Sequence, residues 1–227
     1  MIQTYTILVV DDNPSIVDIF VNMLQQGGYM TLTASSGEKA LQILEKNRPD
    51  MILLDIMMEP LDGWQTLERI KAGPPSVASI PVLMLTAKQL TIGEAERFGL
   101  SIEDYINKPI TRRALYDSIE RFFRRRDRME TKMQIAGESG ADPEMIREYR
   151  TLCRTTDVQR RLIRILEQVA NTGDVSIEQH AEIYSAVKAM KETVMGKTER
   201  LNEIRKQFEN LGISPDEGEN QQIAKDF

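Results

Sequence analysis

The stretch Met51 to Gly63, MILLDIMMEPLDG, decides how this chain is read: an apolar run ends on one acid, Asp55, and a loop follows at once. A run that is apolar almost throughout suits a strand covered on both faces, as strands of a parallel sheet are. A second such run, ILVVDDNP, closes on Asp11 and Asp12. At the carboxyl edge of a parallel sheet, the ends of neighbouring strands converge on one crevice, so three carboxylates far apart in sequence can meet. Clustered carboxylates of this kind suit a hard cation.

Up to about residue 110, short apolar runs alternate with amphipathic segments, the pattern of successive βα units. Strands are expected at Thr6–Val10, Thr31–Ala34, Met51–Leu54, Val82–Leu85 and Asp104–Ile106. Asn13 before Pro14 is an N-cap with a proline at the first helical position, and Ser36 and Asp62 can cap the next two helices. Gly27 stops the first helix, and Gly73 with Pro74 and Pro75 stops the third. The fold class is α/β, a doubly wound five-stranded parallel sheet, followed by an all-α, coiled-coil-like extension.

From Thr111 onward no strand signal returns, and the run GESGADP at 137–143 marks a hinge. Met145–Arg154 and Val158–Val169 are expected as two short helices, and Ser176 caps a much longer one. On that helix Ile177, His180, Tyr184, Val187, Met190, Val194, Lys197, Leu201, Ile204, Phe208 and Leu211 alternate spacings of three and four, which is a heptad seam. A helix this long spans about 50 Å at 1.5 Å per residue and needs a partner helix, in the same chain or another. The expected domains are an α/β unit at 1–128, a helix end and linker at 129–142, a helical extension at 143–212 with its long helix at 176–211, and a polar, disordered tail at 213–227.

A net charge of −6 argues against a general nucleic-acid or membrane-surface binder. The single cysteine, Cys153, excludes an intrachain disulfide. No apolar stretch approaches the ~20 residues of a membrane span, and the start of the chain lacks the pattern of a secretion leader, so the expected location is cytoplasmic. His180, the only histidine, sits on the heptad seam without a phosphotransfer motif around it and reads as structural, as does Trp64. The arginines at 124–126 and 128 are interleaved with Asp127 and Glu130, as on a solvated helix face.

Two further residues complete the constellation: Thr86 follows the fourth apolar strand in LMLTAK, and Lys108 follows the fifth in DYINKPI. A cation, an ammonium and a hydroxyl donor together can surround the oxygens of a phosphoryl group on a carboxylate. With these five positions in order, residues 5 to 125 resemble the CheY-like receiver domain of two-component response regulators, in a variant of archaeal type.

The resemblance implies a flavodoxin-like strand order 2-1-3-4-5 and a signalling phosphoprotein rather than an enzyme with a separate substrate. Asp55 would accept the phosphoryl group as an aspartyl phosphate from a histidine kinase, helped by Lys108 and Thr86. Mg²⁺ would be held by Asp11, Asp12, Asp55 and the backbone carbonyl of Met57. Thr86 and Tyr105 would form the switch, and the responsive surface would cover about residues 91–126. The chain departs from the family pattern at Glu59, which stands where a proline is usual, with Pro60 one place later. Met57 and Lys88 are not the residues that position a hydrolytic water, which implies a longer-lived phosphoryl state.

For the output, the leading expectation is a switch in protein contacts through the helical extension. A homodimer would form through these helices or through the fifth receiver helix, and a downstream protein would be the partner. A DNA-binding transcriptional regulator is the alternative, weakened by 13 basic against 17 acidic residues from 137 onward, a balance of −4. A phosphatase or phosphotransfer output is the third reading, and only His180 would support it.

Overall fold

The structure, a computed structural model, describes residues 4–87, 91–99, 101–171 and 176–213. Its parallel sheet has the order β2-β1-β3-β4-β5, built from β1 (Thr6–Val10), β2 (Met30–Ala34), β3 (Met51–Asp55), β4 (Val82–Thr86) and β5 (Asp104–Asn107). Position in the sheet explains the composition of each strand. The central β3 and β4 are buried at every residue and apolar up to their last, whereas the edge strands β2 and β5 are mixed in both composition and burial.

The helices begin where the sequence places their caps. Asn13 accepts a hydrogen bond from the Ser15 amide at the head of α1 (Pro14–Gln26), and Ser36 accepts from Lys39 in α2 (Gly37–Lys46). Asp62 and Gln65 form a reciprocal capping box on α3 (Gly63–Lys71). A short α4 (Pro75–Ala78) is absent from the sequence-based expectation, because its two prolines look like a plain stop; the second instead starts a single turn. The remaining helices are α5 (Ile92–Phe98), α6 (Arg112–Glu138), α7 (Pro143–Asn171) and α8 (Ile177–Asn210).

The chain divides into two compact units. One comprises residues 1–89 and 101–120, with the sheet, α1 to α4 and the start of α6. The other comprises residues 90–100 and 121–227, with α5, the rest of α6, α7 and α8.

In the helical unit α7 and α8 form an antiparallel hairpin. Tyr149 meets Phe208 edge to face at 5.1 Å, Arg160 donates to Thr198 and Lys191 pairs with Glu167, so partners advance along α7 as they retreat along α8. Met133 and Ala136 of α6 join Tyr149, Cys153, Leu201, Ile204 and Phe208 in one apolar cluster. The long stripe is therefore covered within the chain.

Four expectations need correction here. The two short helices expected at 145–154 and 158–169 are one, α7, because Thr155–Thr156–Asp157 contains no glycine or proline and Thr156 is buried within the bundle. Likewise 129–138, expected as helix end and linker, is helical and contributes Met133 and Ala136 to the core; the turn falls at Gly140, whose φ of +81 only glycine adopts without strain. At the start of α8 the seam runs through Ile183, 2% exposed, while Tyr184 at 74% and His180 face outward. From Val187 to Phe208 it follows the expected residues, and Leu211 is exposed. Of the expected tail at 213–227, Ile213 is buried in the apolar cluster rather than disordered, and the remainder at 214–227, Lys88 and the side chain of Ile177 lie outside the described residues.

Candidate functional site

Strand register builds the site. Val10 is level with Leu54, so Asp11 and Asp55 leave adjacent strands side by side, and Thr86 is level with Asn107, so Lys108 emerges one residue further on. Carboxylate oxygens of Asp11, Asp12 and Asp55 all lie within 4.8 Å of one another. Asp11 and Asp55 are buried and Asp12 is exposed, which leaves the cluster open on one side.

Lys108 enters this cluster held at both ends. Its amide donates to the Thr86 carbonyl at 2.6 Å, while Nζ donates to Asp11 Oδ2 at 2.6 Å and lies 3.0 Å from Asp55 Oδ1. The contact to Asp55 is an ion pair whose angles miss hydrogen-bond geometry, so Oδ1 is buried without a hydrogen bond. Burial raises the pKa of the Asp55 carboxyl above its ordinary value; Lys108 opposes this and the Asp11 charge adds to it. Three carboxylates against one ammonium leave the cluster with negative charge to spare when all are ionised. An oxygen-only donor set with an orphaned buried acceptor fits a small divalent cation.

The other expected residues fall around this cluster. Thr86 ends β4 with its side chain fully buried, Met57 is exposed in the loop after β3, and Tyr105 is half-buried on β5 beside Met84. Glu59 is exposed in the same loop as Met57, before a cis Glu59–Pro60 bond. His180 takes no part in the cluster and lies on the exposed face of α8.

Two contributors were not foreseen. The Asn13 amide donates to Asp11 Oδ1 at 2.9 Å, fixing that carboxylate from the N-cap of α1; the spacing Asp-x-Asn-Pro carried this signal. Gly63 starts α3 so close to β3 that a Cβ there would lie 2.2 Å from the Asp55 carbonyl oxygen and 2.7 Å from Ile56 Cα. Nothing in the sequence distinguishes this glycine from an ordinary loop glycine, since the requirement comes from the packing.

A doubly wound five-stranded sheet of order 2-1-3-4-5, with acids at the ends of its first and third strands and a lysine after its fifth, defines a receiver domain. The chain belongs to the response regulator receiver domain family, whose family model matches residues 7–120. A second family model, Metanogen output domain 2, matches residues 125–211. Over 119 residues the chain is 37% identical to the alkaline phosphatase synthesis transcriptional regulatory protein PhoP of Bacillus subtilis, covering 52% of this chain and 48% of that protein. It thus spans about half the length of this curated relative. Among solved structures, the N-terminal domain of a response regulator receiver protein from Methanoculleus marisnigri is 60% identical, with a TM-score of 0.45 over 52% of this chain and 96% of that one. A CheY-like receiver domain protein from Methanospirillum hungatei shares the fold at 23% identity, with a TM-score of 0.51 over 56% of this chain and 98% of that one.

Proposed function

We propose that Asp55 is the residue phosphorylated. The observation that carries this reading is the Asp55 carboxylate at the strand end, with Asp11 and Asp12 oxygens within 4.8 Å and the Lys108 ammonium at 3.0 Å. An Asp55 oxygen bonds to phosphorus as the P–N bond of a phosphohistidine donor breaks, and the electron pair returns to the donor imidazole. Bound Mg²⁺ would neutralise phosphoryl oxygens, held by Asp11, Asp12, Asp55 and the Met57 carbonyl. The Lys108 ammonium, 3.0 Å from the Asp55 carboxylate, stabilises charge on the phosphoryl group, and the Thr86 hydroxyl then donates to the new phosphate. Tyr105 follows Thr86 inward. Because the residue two places after Asp55 is Met57, which offers no polar group to orient an attacking water, the phosphoryl state is long-lived.

The partners of this reading are a cognate histidine kinase and a downstream protein, in the cytoplasm. Output runs through protein contacts of the helical region. Its described part consists of long helices packed on one another, in a segment with a balance of −4, which favours this over a DNA-binding output of the kind a transcriptional regulator, as the PhoP relative is named, would need. Since α7 covers the seam of α8, a homodimer would use other surfaces, such as the face of α8 with exposed Tyr184 and Met195.

Incubation with a small phosphodonor such as phosphoramidate and Mg²⁺ should label the full chain once, and Asp55→Asn should lose the label. Label that survives in the variant would sink the assignment.

A further inference from the structure

Between α7 and α8 the seam is apolar toward Tyr149 and Phe208, apolar again toward Ile163 and Val187, and polar in between. At about 100° per residue, Thr156 and Arg160 fall about 20° to either side of Tyr149, on the face of α7 that meets α8. Arg160 Nη2 donates to Thr198 Oγ1 at 3.3 Å, and beside this pair the Lys197 ammonium donates to Gln159 Oε1 at 2.9 Å. Two cations therefore share one level of the hairpin. Among the described residues no carboxylate lies within ion-pair distance of either one, the nearby acids being committed elsewhere: Asp157 to Arg125, and Glu148 and Glu203 to Arg200. At the same level Thr156 Oγ1 and Arg160 Nε are buried without a hydrogen-bond partner. A buried polar atom in that condition costs more than an ordinary hydrogen bond contributes.

The kind of group that completes this layer follows from its charge and its donors. Water would satisfy the Thr156 hydroxyl and the Nε–H but leave both positive charges uncompensated. An oxyanion meets all of them. Nε and Nη2 form one edge of the guanidinium, the edge that grips two anion oxygens at once, and Lys197 and Thr156 add donors for the others. Along the seam the layer is bounded by buried Val194 and Leu201, so it is shallow and suits a small tetrahedral dianion. Gln159, Arg160 and Lys197 are half-buried while Thr156 is fully buried, so the layer runs from solvent into the seam and gives such an ion a way in. We infer that the layer formed by Thr156, Arg160 and Lys197 in the helical hairpin binds inorganic phosphate. Occupancy holds α7 to α8, so phosphate stabilises the helical unit by mass action, whichever residue of the receiver accepts a phosphoryl group.

Equilibrium dialysis of the full chain against radiolabelled inorganic phosphate tests this, in EDTA so that the Asp55 cluster holds no cation. Retention should saturate at one phosphate per chain, be displaced by sulfate and withstand chloride at the same ionic strength. Arg160→Met and Lys197→Met should each weaken it at least about tenfold, the loss of one charge-assisted contact, and Thr156→Val about threefold. Arg150→Met, which removes a surface charge paired with Glu130 elsewhere on α7, should leave it unchanged. Retention that does not saturate, or that Arg150→Met lowers as much as Arg160→Met does, overturns the inference. So does full retention by Thr156→Val and Arg160→Met, which places the anion elsewhere. Melting followed by helix circular dichroism separates a lost site from a lost fold. Without phosphate, Thr156→Val and Arg160→Met should melt at or above the parent's temperature, because apolar groups replace orphaned polar ones. Phosphate should then raise the midpoint of the parent more than that of either variant. Variants that melt well below the parent without phosphate would make the layer a structural element and also overturn the inference.

Discussion

Asp55 is the residue at which burial, charge and chemistry meet. Its raised pKa has a direct consequence for the metal-free protein, because the unfolded chain gives up this proton at lower pH than the folded one. Between the ordinary aspartate value and the raised one the folded state binds more protons, so this residue's contribution to stability falls as pH rises through that window. Above it the loss is complete. In EDTA at pH 7, Asp55→Asn should therefore be more stable than the parent, and the advantage should shrink as pH falls until the two converge below the ordinary aspartate value. Thermal melts across that range measure it, and a variant less stable at pH 7 would contradict the assigned burial cost. Asp11, Asp12, Thr86 and Lys108 were legible from sequence because each follows or closes an apolar run, and the strand ends of a parallel sheet bring such residues together. That Lys108 donates to Asp11 and only pairs ionically with Asp55 was not legible, since side-chain angles are set by packing.

Elements place these residues through close contacts that tolerate little change. Gly63→Ala would press a methyl carbon into the Asp55 carbonyl and Ile56 Cα, both backbone, so α3 or the end of β3 must move. The expected cost is about 3 kcal/mol in urea unfolding, with weaker labelling of Asp55 as its loop shifts. In the helical unit Phe208 packs edge to face on Tyr149 at 1% exposure, and Phe208→Ala should cost about 3–5 kcal/mol in that unit's transition. Tyr149 is also the polar anchor of this core, accepting from Lys132 at 2.9 Å and Arg205 at 3.3 Å. By contrast Arg200, paired with Glu148 and Glu203 on the surface, contributes specificity of pairing more than stability. The strands and the first three helices could be located from sequence because caps and apolar runs are local signals. Whether α7 was one helix or two was not, because Thr155–Asp157 favours neither outcome until neighbouring helices bury it.

At the scale of the whole molecule, the two units can be followed by different signals. Trp64, the only tryptophan, sits in α3 beside the loop that follows Asp55, while α6, α7 and α8 supply 27, 29 and 34 residues of the helix signal. Mg²⁺ at a hundred times its Kd should stabilise the transition seen by Trp64 fluorescence by about 2.7 kcal/mol. Asp12→Asn should reduce that stabilisation, and an undiminished effect would place the cation elsewhere. By itself the sequence determined where the strands of the sheet and its first three helices lie, because continuous apolar runs, caps and strand-end acids are encoded locally, while the strand order came with the resemblance to receivers. Only the tertiary structure decided that the seam of α8 pairs with α7, that Gly63 must remain a glycine and that α5 packs with the helical unit. A heptad stripe specifies an apolar face and its period, but not which helix covers it. That choice depends on the turn between helices and on the faces already occupied, and neither is written in any one segment.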